Sequence, residues 1–160
     1  MKSDKAYIFI GLLLFEGYLL QYYLHLRWEV LGNLQQLSWY KLSSGTLLLL
    51  LILVQWHFSK VRANPKTSAQ KSILHYNLHN WLGALSPLVF YLHTIVPGYA
   101  YLLVLSILFL GNFMLGILNN YLLPVQGRWY HNGWMVLHVS ISCLITTLVL
   151  VHIVVVFYYE

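Results

Sequence analysis

Histidine is the residue type with the most chemical potential in this chain. The sequence contains eight of them although 59% of it is apolar. A polar imidazole is costly in such surroundings and is commonly kept for a function. They are His25, His57, His75, His79, His93, His131, His138 and His152. Two pairs share one spacing, because fourteen residues separate His79 from His93 and also His138 from His152.

This spacing has a definite geometry on a helix. Fourteen residues make just under four turns, so the two rings lie within about 40° of one face. The rise between them is about 21 Å, most of the roughly 30 Å hydrocarbon core of a bilayer. Each helix would present one imidazole near each membrane surface. Haem iron of the b type takes one imidazole on each axial side, whereas zinc or copper needs ligands clustered within a few angstroms. The spacing therefore favours two haems.

Composition indicates the protein class. The chain has 160 residues, of which 8% are charged, against roughly 25% in soluble domains. Aromatic residues make up 16%, which suits two interfacial belts. The net charge of +5 comes from scattered residues, so we predict no nucleic-acid partner. The single cysteine, Cys143, lies in an apolar run, and no C-x-x-C-H motif is present for covalent haem attachment.

Five apolar segments are each compatible with the roughly 20 residues that span a bilayer. Lipid offers no partner to a free backbone group, so each segment is expected to be a helix. The first segment lacks a small-residue cleavage site, and we expect no cleavable signal peptide. The predicted fold is an all-α integral membrane protein, a bundle of five transmembrane helices in a single domain over residues 1–160. The segments are residues 5–27, 42–59, 73–96, 99–123 and 133–158.

Positive charges predict the orientation. The connection at residues 60–71, called the basic loop below, has four positive and no negative charges. Arg128, Lys2 and Lys5 fall on the same side of the membrane. The positive-inside bias predicts a cytoplasmic amino terminus and an outward carboxyl terminus. The basic loop with Arg128 is also the expected docking surface for an acidic partner or the haem propionates.

The third and fifth segments are predicted to hold the haems between them. One full crossing separates these segments, so they run parallel. His79 then lies level with His138 near the inner surface, and His93 with His152 near the outer surface. We predict two non-covalent haem b groups, with these four histidines as the iron ligands.

Two small residues lie on the same faces as the histidines. Gly83 and Ser142 each follow a histidine by four residues. A small side chain there would let the porphyrin edge approach the backbone. Both residue types also serve plain helix packing in membranes.

The remaining histidines do not share the spacing. His75 and His131 are expected at the cytoplasmic edge, where they could touch a haem propionate or a substrate. His57 is expected near the same surface and His25 near the other. Glu16, in the middle of the first segment, is expected to be neutral and hydrogen-bonded in the bundle, or to have a proton or quinone role.

The chain resembles a known family at these positions. The paired H-x13-H spacing, within LHNWLGALSPLVFYLHT (residues 78–94) and VLHVSISCLITTLVLVH (residues 136–152), resembles the ferric reductase-like transmembrane family. That family includes the membrane part of NADPH oxidases and ferric reductases, and the haem-bearing membrane partner of a periplasmic methionine sulfoxide reductase. The resemblance implies that His79 and His138 bind the inner haem and that His93 and His152 bind the outer haem.

Two departures from that family bear on function. The family usually has a sixth spanning helix, and only five segments are found here. Its NADPH-oxidising members carry a flavin and nucleotide domain, but this sequence has no G-x-G-x-x-G motif. We therefore expect the chain to receive electrons from a separate donor rather than from NADPH directly.

The expected function is transmembrane electron transfer, as the haem-bearing subunit of an oxidoreductase complex with separate donor and acceptor proteins or quinone. Cytochrome b of the quinol-oxidising complexes has similar paired spacing. An alternative is thus a quinol-reactive subunit of a respiratory or photosynthetic complex, in which Glu16, His25 or an interfacial tyrosine lines a quinone pocket. A third possibility is a haem-free membrane scaffold with structural histidines. Visible absorption separates the scaffold from both cytochromes.

Overall fold

The computed structural model describes residues 6–26, 28–118 and 128–159, except for the side chain of Arg128. In these ranges every regular element is an α-helix, which confirms the all-α class. The chain divides into two compact units, Met1–Val96 and Pro97–Glu160. The helices are α1 (Ala6–Tyr23), α2 (Glu29–Leu34), α3 (Ser38–Ala63), α4 (Ala69–His93), α5 (Tyr101–Ile117) and α6 (Arg128–Tyr159).

Long apolar helices support the membrane class. In the described part of the chain, three stretches are long and apolar enough to cross a bilayer: α1, α3 and residues Trp129–Tyr159 of α6. Helix α5 is apolar but has 17 residues. Helix α4 has 25 residues and carries polar side chains along its first half. Large apolar side chains such as Val136, Leu144 and Val154 are exposed, as contact with lipid requires. Five spans stay a prediction.

The predicted helix bounds need correction. Helix α3 begins at Ser38 instead of 42 and ends at Ala63 instead of 59, and α4 covers Ala69–His93 instead of 73–96. Helix α6 begins five residues before the predicted 133, and the predicted connection at residues 28–41 includes α2. Apolarity marks only the part of a helix suited to lipid, whereas backbone hydrogen bonding continues into polar sequence. Lys2, Lys5, residue 27 and the predicted end of the fourth segment (residues 119–123) lie outside the described residues.

The first residues of α4 and α5 are determined by local features of the chain. Helix α4 begins after Ser68, whose side-chain oxygen accepts a hydrogen bond from the Lys71 backbone N–H at 3.4 Å. Helix α5 begins at Tyr101, two residues later than predicted. Gly98 and Ala100 both have φ near +50°, which a continuing helix cannot contain.

In the first unit, α1 and α3 both pack on α4. The five-residue connection at 64–68 makes α3 and α4 an antiparallel hairpin, because contacts that move forward along α3 move backward along α4. Helix α1 runs parallel to α4. Tyr7 packs edge-on against Trp81 and Tyr18 against Phe90, with ring centroids 6.3 Å and 5.5 Å apart.

The carboxyl end of α4 is capped by side chains from earlier in the chain. Gln35 Nε2 donates to the carbonyl oxygens of Tyr91 and Leu92, at 2.9 Å and 3.0 Å. The Ile95 backbone N–H donates to Gln35 Oε1, and Tyr40 Oη donates to the Leu92 carbonyl. The last carbonyls of a helix have no partner within it, and lipid supplies none. These bonds hold the turn that carries His93.

The second unit is an antiparallel pair of α5 and α6. Asn112 on α5 donates to Ser142 Oγ on α6 at 2.9 Å. Trp134 Nε1 on α6 donates to the carbonyl oxygen of Leu115, in the last turn of α5, at 2.7 Å. Polar bonds between membrane helices fix their register.

Candidate functional site

The structure places the two histidine pairs in different units. His79 and His93 lie on α4 in the first unit, and His138 and His152 lie on α6 in the second. All four side chains are partly buried. The pairing of His79 with His138, and of His93 with His152, stays a prediction.

His93 lies against two consecutive small residues of α3. Its Nδ1 is 3.0 Å from Ser44 Oγ. A methyl group added to Gly45 would lie 3.2 Å from His93 Cε1 and within 4 Å of both ring nitrogens. A methyl group at Gly45 would require this ring to shift by a few tenths of an ångström, and a larger side chain would require a larger shift.

His79 is linked to α3 through its backbone. Gln55 Nε2 donates to the His79 carbonyl at 3.1 Å, and it would lie 3.6 Å from a methyl group added to Gly83. Gly83, predicted to admit a porphyrin edge, therefore faces Gln55 of α3. The glycine allows the amide to reach the α4 backbone. Pro87 lies on α4 between His79 and His93. Proline has no N–H to donate to the Gly83 carbonyl, so the helix geometry at Pro87 affects the angle between the two imidazole rings.

His138 is bounded by a glycine and by a stacked indole. A methyl group added to Gly116 on α5 would lie 3.5 Å from His138 Cε1. The Trp134 ring, one turn earlier on α6, stacks on the His138 ring with centroids 5.5 Å apart and planes 12° apart. The same indole stacks on exposed His131 at 6.1 Å and 29°. Trp134 is held by its hydrogen bond to Leu115.

His152 lies beside a tyrosine of α5. Its Nδ1 is 3.5 Å from Tyr101 Oη, at the long limit of hydrogen bonding, and the ring centroids are 6.3 Å apart. Ser142, the other small residue predicted to admit a porphyrin, accepts from Asn112 and donates to the His138 carbonyl at 2.8 Å. Its hydroxyl is used in joining α5 to α6.

The other polar residues have different settings. His57 and His75 face each other from α3 and α4, with centroids 6.3 Å apart, and His75 Nδ1 is 2.8 Å from the Lys71 carbonyl. His25 is exposed beyond α1 with φ of 53°. Glu16 is exposed on α1, which differs from the predicted hydrogen-bonded position in the bundle.

Sequence reasoning missed the residues that hold the histidines. Ser44 and Gly45 come from α3, and Gly116 comes from α5, so no local spacing relates them to their imidazoles. Trp134 had a usable signal, because it precedes His138 by one helical turn. Among the described ranges, no three His, Cys, Asp or Glu side chains gather as a metal cluster. Axial ligation of haem uses two imidazoles and does not need such a cluster.

In comparisons with protein-family models, curated proteins and solved structures, nothing matches the chain. The resemblance to the ferric reductase-like transmembrane family thus stays a prediction from histidine spacing.

Proposed function

We propose that the protein is a membrane electron-transfer subunit that binds two haem b groups, with His79 and His93 of α4 and His138 and His152 of α6 as the iron ligands. The observation that carries the proposal is the repeated fourteen-residue spacing of His79–His93 and His138–His152 on two long helices of an apolar chain. Histidines kept only for helix packing have no reason to share a spacing.

The surroundings of the imidazoles fit the proposed group. A histidine that ligates a metal is normally oriented by a hydrogen-bond partner on its other nitrogen. Ser44 contacts His93, Tyr101 contacts His152, and Trp134 stacks on His138. Gly45 and Gly116 keep the helix surface beside two of these rings free of side chains. Each of these contacts restricts the orientation of an imidazole ring, as a ligand of haem iron requires.

Bound haem would supply a one-electron iron couple near each membrane surface. The work of the chain itself is to hold the imidazoles and exclude water. Apolar residues dominate α6 around its histidines, and an apolar sleeve tunes potential by excluding solvent. The donor and the acceptor would be separate proteins or quinone, as expected for a subunit of an oxidoreductase complex. The predicted basic loop would receive an acidic donor at the cytoplasmic surface.

Haem content tests the proposal directly. Pyridine haemochrome analysis of the purified protein in detergent should give two protohaems per chain, extractable with acid acetone. A protein expressed with haem available and purified without any would be a scaffold, and the proposal would fail.

Variants then test the pairing. His79→Ala and His138→Ala should each lose the same haem, and His93→Ala and His152→Ala the other, as judged by redox titration and reduced spectra. The exposed His25→Ala serves as the control and should retain both. If His79→Ala and His152→Ala lost the same haem, the predicted parallel pairing would be wrong.

A quinol-reactive subunit is the second candidate, and one observation favours it. Tyr18 is 3% exposed, and its hydroxyl has no hydrogen-bond partner among the described residues. Gln21, one turn later on α1, likewise buries its Oε1 without a partner there. A quinol headgroup could hydrogen-bond to both atoms. These residues, rather than exposed Glu16, would then be the quinone-binding groups.

Quinol-driven reduction separates the two candidates. In lipid, a short-chain quinol should reduce the haems of the wild type rapidly if the second candidate is right. Tyr18→Phe should then slow that reduction while dithionite reduction is unchanged. Tyr22→Phe, at an exposed position on the same helix, is the control. If dithionite reduces the haems but quinol does not, the second candidate is excluded and electron transfer from a separate donor protein is supported.

A further inference from the structure

Ser44 has three contacts that together favour one direction for its hydrogen bond to His93. It is 9% exposed on α3. Its Oγ is 2.7 Å from the Tyr40 carbonyl oxygen, 3.3 Å from the Lys41 carbonyl oxygen and 3.0 Å from His93 Nδ1. Two of these neighbours are carbonyl oxygens and can only accept.

The single hydroxyl proton of Ser44 is used toward the helix backbone. A bond from a helical serine to the carbonyl four residues earlier is common, and 2.7 Å is a typical O–H···O distance. The lone pairs of Oγ are then left for His93, which favours the tautomer whose Nδ1–H donates to the serine. In a neutral imidazole with its proton on Nδ1, Nε2 carries the lone pair that binds a metal.

We propose that Ser44 is a positioning residue that holds His93 in the Nδ1–H tautomer and directs Nε2 to the iron of the outer haem. This inference rests on the proposed function. Gly45 contributes from the same turn, because its missing side chain lets the ring lie against α3 with Cε1 only 3.2 Å from where a methyl group would be. The capping bonds of Gln35 and Tyr40 hold the α4 turn that presents the ring.

A hydrogen bond from the second nitrogen makes a ligating imidazole more basic. A more basic ligand stabilises ferric iron, so Ser44 lowers the potential of the haem that His93 binds. Changes to such outer partners typically alter metal affinity or activity by about 10–100-fold. For Ser44 we expect an effect near the lower limit, about tenfold, because the acceptor is an uncharged hydroxyl.

The experiment compares adjacent serines by redox titration of the purified two-haem protein. The outer haem is defined as the one that His93→Ala lacks. Ser44→Ala should raise its reduction equilibrium constant about tenfold, or about 59 mV for one electron, and leave the inner haem unchanged. Ser43→Ala is the matched control. Ser43 is exposed and donates to the same Tyr40 carbonyl at 3.1 Å, with no contact to His93 among its hydrogen bonds. Ser44→Thr, which restores a hydroxyl, should titrate like the wild type.

The outcomes distinguish this inference from the function on which it rests. Wild-type protein without haem would refute the function itself. A wild type with two haems, combined with equal potentials in Ser44→Ala and Ser43→Ala, would overturn only the role of Ser44. So would a Ser44→Thr protein shifted as far as Ser44→Ala, because the hydroxyl would not then be the cause. Selective loss of the outer haem in Ser44→Ala, with both haems retained in Ser43→Ala and Ser44→Thr, would support the role.

Discussion

His93 in the first unit and His138 in the second are held by different means. Both lie beside a glycine of the facing helix, Gly45 on α3 and Gly116 on α5. His93 is then held by a hydrogen bond to Ser44, whereas His138 is held by an indole stacked on its face. A hydrogen bond determines which nitrogen carries the proton, and stacking determines only the plane of the ring. Under the proposed function, Ser44 would therefore influence the basicity of His93, whereas Trp134 would influence the orientation of the His138 ring.

The largest expected effect comes from filling the two glycine positions. Under the proposed function, Gly45→Leu and Gly116→Leu should each lower the haem content from two to one, and should lose different haems, because leucine would crowd the His93 or the His138 ring. Haem count and redox titration measure this.

The controls are glycines with open surroundings. A methyl group at Gly17 on α1 or at Gly111 on α5 would have no neighbour within 4 Å. Gly17→Leu and Gly111→Leu should therefore keep both haems. Equal loss of haem in all four variants would mean that these helices tolerate no leucine at a glycine position. The role of Gly45 and Gly116 beside the histidines would then be refuted.

Removal of the indole should have the next largest effect. Trp134→Leu removes the stack on His138 and the hydrogen bond to Leu115, so we expect a loss of about 1–2 kcal/mol in unfolding free energy. The reduced spectrum of the inner haem should broaden as its imidazole plane is released. Thermal unfolding in detergent and low-temperature spectra are the measurements. Trp129→Leu, at a position 91% exposed on the same helix, should change neither property.

A smaller effect is expected at the cap of α4. Gln35→Ala removes bonds to the last turn of that helix, and interhelical hydrogen bonds in membranes contribute about 0.6 kcal/mol on average. We expect faster amide hydrogen exchange at Thr94 and Ile95 and a loss of about 1 kcal/mol. Gln36→Ala, at an exposed neighbouring position, is the control. Unchanged amide exchange in Gln35→Ala would show that water at the membrane surface can replace Gln35 as the hydrogen-bond partner of these backbone groups.

The smallest effect is expected at His152. Its contact with Tyr101 is 3.5 Å, against 3.0 Å between Ser44 and His93, and hydrogen bonds weaken with distance. Tyr101→Phe should change the reduction equilibrium of the outer haem by about twofold, less than Ser44→Ala does. Tyr99→Phe, at an 84% exposed position, provides the baseline. A shift in Tyr101→Phe larger than that in Ser44→Ala would reverse the ranking of the two hydroxyls.

Some features of the site were open to prediction and others were not. The shared face of His79 and His93 follows from helical periodicity, and the stack of Trp134 on His138 could have been read from the same rule. The cap formed by Gln35 could not, because that residue precedes its Tyr91 acceptor by 56 positions. Glu16 was misjudged for a related reason. Its position in the middle of an apolar helix indicates a cost in lipid, but which face of α1 is covered depends on packing against α4.

Composition and local periodicity by themselves determined that this protein is helical, suited to a membrane, and carries histidines at one repeated spacing. These properties depend on residues within a few turns of one another. Only the tertiary structure decided that Ser44 and Gly45 lie against His93, and that Gly116 lies against His138. A hydrogen bond between residues 49 positions apart exists only when two helices pack in one register, and that register is set by the whole contact surface between them.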